Sequence, residues 1–202
     1  MKVLKIYIVE DDMRRYRTME AYFEAVKGEV TLGKGVGEFS DLLKRVDIGE
    51  IEINHIKINS TPSEEPDFID YSYDENFEDY IKKILDDRSP RFFFLDLALN
   101  KQEREIFSRN ENMLVPYVAR QIINSIGQKQ SLRKELVVVN TRCTNISRSL
   151  EMVLDIKKSV KENLILKIIP ANIFAPTYVR KQKDHVLSEI VKDFLEEKKE
   201  NG

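Results

Sequence analysis

Short, wholly apolar runs alternate along the chain with longer segments in which apolar residues recur every three or four positions. The first run, Lys5-Ile-Tyr-Ile-Val9, makes residues 3–9 a buried strand. Residues 13–27 then place Tyr16, Met19, Tyr22, Phe23 and Val26 on one helical stripe, with Gly28 as the expected stop. Val30 to Leu32 reads as a short second strand, and after Gly33, Gly35 and Gly37 a helical pattern runs through Phe39, Leu42, Leu43 and Val46. Residues 50–59 alternate through Ile51, Ile53, Ile56 and Ile58, as a half-buried or edge strand does. A proline-punctuated loop, 60–66, leads into an acidic, tyrosine-rich stretch and a helix over 76–87 bearing Phe77, Tyr80, Ile81, Ile84 and Leu85.

The second half repeats the alternation. Phe92-Phe-Phe-Leu95 is a buried strand, and after a polar stretch from Asn100 to Asn112 a helix carries Val115, Val118, Ile122 and Ile126. Leu136–Val139 is the next strand, 147–161 the next helix, and Leu164–Ile169 the last strand. An amphipathic helix over 183–197 closes the chain, its apolar face formed by Val186, Leu187, Ile190, Val191, Phe194 and Leu195. Strand and helix alternating about five times predict an α/β fold, a doubly wound parallel sheet covered on both faces with right-handed crossovers. The length, 202 residues, suits a single domain over 1–202, with the stretch at about 48–88 read as an insertion.

Composition narrows the function. A net charge of -2 lacks the basic footprint of a nucleic-acid or anionic-membrane binder, and no apolar stretch nears the ~20 residues of a membrane span. The opening residues lack the sections of a signal peptide, so a cytoplasmic location is expected. Cys143 is alone, and His55 and His185 lie far apart in sequence without metal-ligand spacing. The glycines at 33, 35 and 37 miss the dinucleotide and Walker spacings, which leaves them as a turn.

The chemistry lies at the strand ends. The first strand delivers Glu10-Asp11-Asp12 and a later one Asp96, and in open α/β sheets the carboxyl ends of the strands form the ligand crevice. Such acids suit a hard cation such as Mg2+, which needs one or two carboxylates beside its waters. A plainer reading makes Glu10, Asp11 and Asp12 the cap of the first helix.

The runs Ile8-Val-Glu-Asp-Asp-Met-Arg14, Phe94-Leu-Asp-Leu97 and Val138-Val-Asn-Thr141 together resemble the receiver domain of two-component response regulators. The resemblance implies a flavodoxin-like five-stranded sheet that takes a phosphoryl group from a histidine kinase or phosphotransfer protein. It implies Asp96 as phosphoacceptor and Thr141 as the hydroxyl that senses the phosphoryl group. Mg2+ would be held by Glu10, Asp11, Asp96 and the backbone carbonyl of Ala98. The family's lysine before proline on the last strand is replaced by Ile169 before Pro170, which leaves Lys167 as the nearest cation. The family's Met-Pro and downstream Gly after the acceptor are also missing, and Arg142 stands where receivers carry a small residue.

Three readings follow. The first is a stand-alone signalling receiver, a phosphoacceptor rather than a turnover enzyme, that controls a downstream protein partner through its last helices and strand. The alternative is a degenerate pseudo-receiver, an interaction module independent of phosphorylation, with residues 50–87 as its docking surface. The third is a magnesium-dependent phosphohydrolase using the same acids.

Overall fold

The computed structural model describes residues 1–10, 12–34, 36–56, 77–96, 122, 123, 126, 135–140, 164–169 and 173–200. Five parallel strands, β1 (Lys2–Val9), β2 (Ile48–Ile56), β3 (Arg91–Leu95), β4 (Glu135–Asn140) and β5 (Leu164–Ile169), form one sheet in the order β2-β1-β3-β4-β5. The described helices are α1 (Met13–Thr31), α2 (Glu38–Arg45), α3 (Phe77–Asp86) and α4 (Arg180–Glu200); Ile122, Ile123 and Ile126 are also helical. This is the doubly wound, flavodoxin-like arrangement expected from the alternation of elements. Its order reverses between β1 and β3, where such sheets open a crevice at their carboxyl ends.

Both faces of the sheet are covered. Leu4, Ile6 and Ile8 of β1, Phe92 and Phe94 of β3, and Leu136 and Val138 of β4 pack with α1, α2 and α4. The intervening Tyr7, Val9, Phe93, Leu95, Val137 and Val139 pack with Ile81, Ile84 and Leu85 of α3 and with Ile122, Ile123 and Ile126. Strand alternation explains the division, since successive side chains point to opposite faces. Phe23, Phe94 and Phe174 meet with centroids 5.1–6.0 Å apart, joining α1, β3 and the segment that leads into α4.

The buried stripe of α1 is Tyr16, Met19, Tyr22, Phe23, Val26 and Val30, and it carries the helix past its expected end. Residues 30–32 are therefore not a strand: Val30 and Thr31 complete α1 and Leu32 caps it. Gly28 is inside the helix, and the stop is Gly33, at φ 66°. There Gly33 N donates to the Val30 carbonyl and Lys34 N to that of Glu29, the two bonds of a Schellman cap.

The stretch at 48–88 is not an added unit over its whole length. Its ends supply β2, paired with β1 from Lys2↔Ile48 to Val9↔Ile56, and α3, which covers one face of the sheet. Residues 57–76 lie outside the described residues.

Candidate functional site

Strand register brings the candidate acids together. Val9 pairs with Leu95, and Leu95 with Val139, so Glu10, Asp96 and Asn140 stand level at the carboxyl ends of β1, β3 and β4. Asp96 N donates to the Val9 carbonyl at 3.1 Å, which extends the β1–β3 ladder to the rim. Glu10 and Asp96 continue the side-chain phase of Ile8 and Phe94, hence the face covered by α1. All three rim residues are buried.

The acids meet a cation that belongs to the chain. Arg15 Nη1 lies 2.6 Å from Asp96 Oδ2 and 2.9 Å from Glu10 Oε2, and Nη2 donates to the Asn140 carbonyl at 2.9 Å. The contact with Asp96 is a charge-assisted hydrogen bond, whereas that with Glu10 is an ion pair without hydrogen-bond alignment. One guanidinium thus links the ends of three strands. Arg15 stands four residues before Met19, so it continues the buried stripe of α1 onto the rim, and Asn140 Nδ2 rests 3.4 Å from Met19 Sδ beneath it. A cation in the first turn opposes the helix dipole by about 0.3–1 kcal/mol. The two buried carboxylates offset that cost, and without a cation they would repel each other at close range.

The turn from β1 into α1 is fixed by the acids. Asp12 caps α1, accepting from Arg14 N at 2.9 Å, and Asp12 N donates to Glu10 Oε1 at 3.1 Å. Of the three consecutive acids, Asp12 is thus the helix cap and Glu10 faces the rim. On the β2 side His55 Nε2 lies 2.9 Å from the Glu10 carbonyl, a bond that requires the proton on Nε2. Its ring stacks on Tyr16 with centroids 3.8 Å apart. Burial, aided by Glu20 2.8 Å from the hydroxyl, pushes Tyr16 up to about 12.

The residues singled out in the sequence divide into three groups. Glu10 and Asp96 are brought together. Lys167 is not brought to them: it is exposed on β5, level with Val138 two residues below the rim, and β5 is two strands from β3, about 9.6 Å away. Asp11, Ala98 and Thr141 lie outside the described residues, as do Arg142 and Cys143. Arg15 was not singled out at all. Its signal was its spacing from Met19, which puts a cation in phase with an apolar stripe one turn from a strand end.

Comparison of the chain with protein-family models, with curated proteins and with solved structures gave no match. Among the described residues no helix is long and apolar enough to cross a membrane.

Proposed function

We propose that this chain is a receiver-like protein-interaction module whose acid rim is closed by its own arginine, so that it meets its partner without being phosphorylated. The observation that carries this reading is the Arg15 guanidinium lying between Glu10 and Asp96. Phosphoryl transfer to Asp96 requires a free carboxylate oxygen and a divalent ion that neutralises the incoming oxygens. Arg15 occupies Asp96 Oδ2 and supplies positive charge where that ion would sit. A guanidinium holds its charge at every pH the protein meets, whereas Mg2+ comes and goes with its concentration. The rim is then a fixed structural joint, and partner recognition falls to the surface of the domain.

A second reading is favoured by the register that puts Glu10 beside Asp96. In it Arg15 swings outward, Mg2+ enters between Glu10, Asp11, Asp96 and the Ala98 carbonyl, and Asp96 accepts a phosphoryl group from a histidine kinase or phosphotransfer protein. Cytoplasmic signalling would then control a downstream partner.

Acetyl phosphate with Mg2+, followed by mass spectrometry of the intact protein, separates the two. The expected outcome is no adduct on the wild type, with Mg2+ affinity raised at least about tenfold in Arg15→Ala. An acyl phosphate on the wild type that disappears in Asp96→Asn overturns the first reading and establishes the second.

A further inference from the structure

Away from the rim, α2 and α4 run together on the α1 face of the sheet, and their seam carries donors that no reading of the rim uses. Glu38 is the first residue of α2. His185 and Glu189, four apart on α4, are neighbours on one helical face. One ligand atom from each of the three comes within 4.8 Å of the others. His185 Nδ1 lies 3.3 Å from Glu38 Oε2.

We infer that Glu38, His185 and Glu189 form a binding site for a divalent transition ion of the zinc class, joining the start of α2 to α4. Zinc bonds nitrogen and oxygen ligands at about 2.0–2.2 Å, so two ligands on a tetrahedral ion stand roughly 3.4 Å apart. The His185–Glu38 pair already has that separation. One imidazole and two carboxylates are borderline donors that suit Zn2+, whereas Mg2+ and Ca2+ take all-oxygen sets. Three protein ligands leave the fourth position to water on this exposed surface.

The spacing across the seam is set by a held side chain packed against a glycine. A Cβ on Gly37 would collide with Asp184 Oδ2, so the residues just before Glu38 and His185 touch directly. Asp184 is itself immobilised through Oδ1, which accepts from Tyr22 Oη and Arg180 Nε, each at 2.6 Å. Glu38, at the start of α2, and His185, in the second turn of α4, are thereby held across the seam from each other. Because α2 and α4 are distant in sequence, an ion here would also cross-link the fold.

The test is titration of Zn2+ into the full chain, previously treated with chelator, by calorimetry and by thermal melting. The expected result is one site per chain, at least about tenfold weaker in His185→Ala and in Glu189→Gln, with a rise in Tm that Mg2+ does not produce. The chain has two histidines and one cysteine, so the competing donors are few. His55→Ala and Cys143→Ser are expected to bind like the wild type. The inference is overturned if the wild type binds no Zn2+ saturably, if His185→Ala or Glu189→Gln binds it undiminished, or if His55→Ala or Cys143→Ser abolishes binding. His185, Glu38 and Glu189 are exposed, and circular dichroism of each variant establishes that it folds.

Discussion

Lys5, level with the start of β3, reaches two acids, with its Nζ 2.7 Å from Asp87 just before that strand and 3.2 Å from Glu52 on β2. The bond from Lys5, with a second from Ser89 N, holds the Asp87 carboxyl well below the usual carboxylate range. A depressed acid contributes stability that is present above its unfolded value, about 3.9, and is lost as pH falls toward the folded value. Asp87→Asn is therefore expected to be less stable than the wild type at about pH 6, with the difference clearly smaller, though not gone, at about pH 2. Urea midpoints at the two pH values check this, and a constant gap would assign the cost to something other than the charge. At the carboxyl rim, Glu10 and Asp96 were readable in the sequence because each ends an apolar run, a local feature. Arg15 was not read, because its role depends on where the phase of α1 falls relative to strands whose partners lie 81 and 125 positions away.

At the scale of elements, the continuous apolar runs located β1, β3, β4 and β5 to within one residue, whereas the alternating 50–59 marked the start of β2 only to within two and the short run 30–32 suggested a strand that is helix. Helix ends were less legible. In the sequence Gly28 reads as the stop of α1, yet a helix keeps an interior glycine when its stripe continues, and here Val30 continues it. The decisive signal was the glycine that needs φ above zero, Gly33, and sequence alone did not rank it over Gly28, Gly35 or Gly37. The same geometry makes two glycine substitutions diverge. A Cβ at Gly28 meets nothing within 4 Å, so Gly28→Ala is expected to stabilise by about 0.5 kcal/mol through helix propensity. Gly37→Ala drives its methyl into the anchored Asp184 carboxylate and is expected to cost about 2 kcal/mol. Equal effects of the two in chemical denaturation would mean that α2 and α4 do not meet as closely as described.

Across the whole molecule, β3 and β4 are clamped by an arginine at each end, half-buried Arg15 at one and buried Arg91 at the other. At the carboxyl rim Arg15 holds Glu10, Asp96 and the Asn140 carbonyl. At the amino rim Arg91 holds Glu135 through Nε and Nη2, each at 2.9 Å, and donates to the carbonyls of Ile84, Leu85 and Asp87 at the end of α3. That second clamp also suits the negative end of the α3 dipole. Both joints leave buried acid uncompensated if the arginine is removed, and breaking such a pair costs about 3–5 kcal/mol. Arg91→Ala and Arg15→Ala are thus expected to lose comparable stability in chelator. They differ in what a divalent ion can repair. Arg15→Ala vacates a space between two acids beside a backbone carbonyl, a donor set that fits Mg2+, so millimolar Mg2+ is expected to restore part of the lost stability. Arg91→Ala exposes one carboxylate and three carbonyls that belong to a helix end, and Mg2+ is expected to restore nothing. Thermal melts of both variants with and without Mg2+ make the comparison. Rescue of Arg15→Ala alone assigns the guanidinium the place of a metal. Rescue of neither variant reduces the carboxyl rim to the same kind of structural clamp as its counterpart.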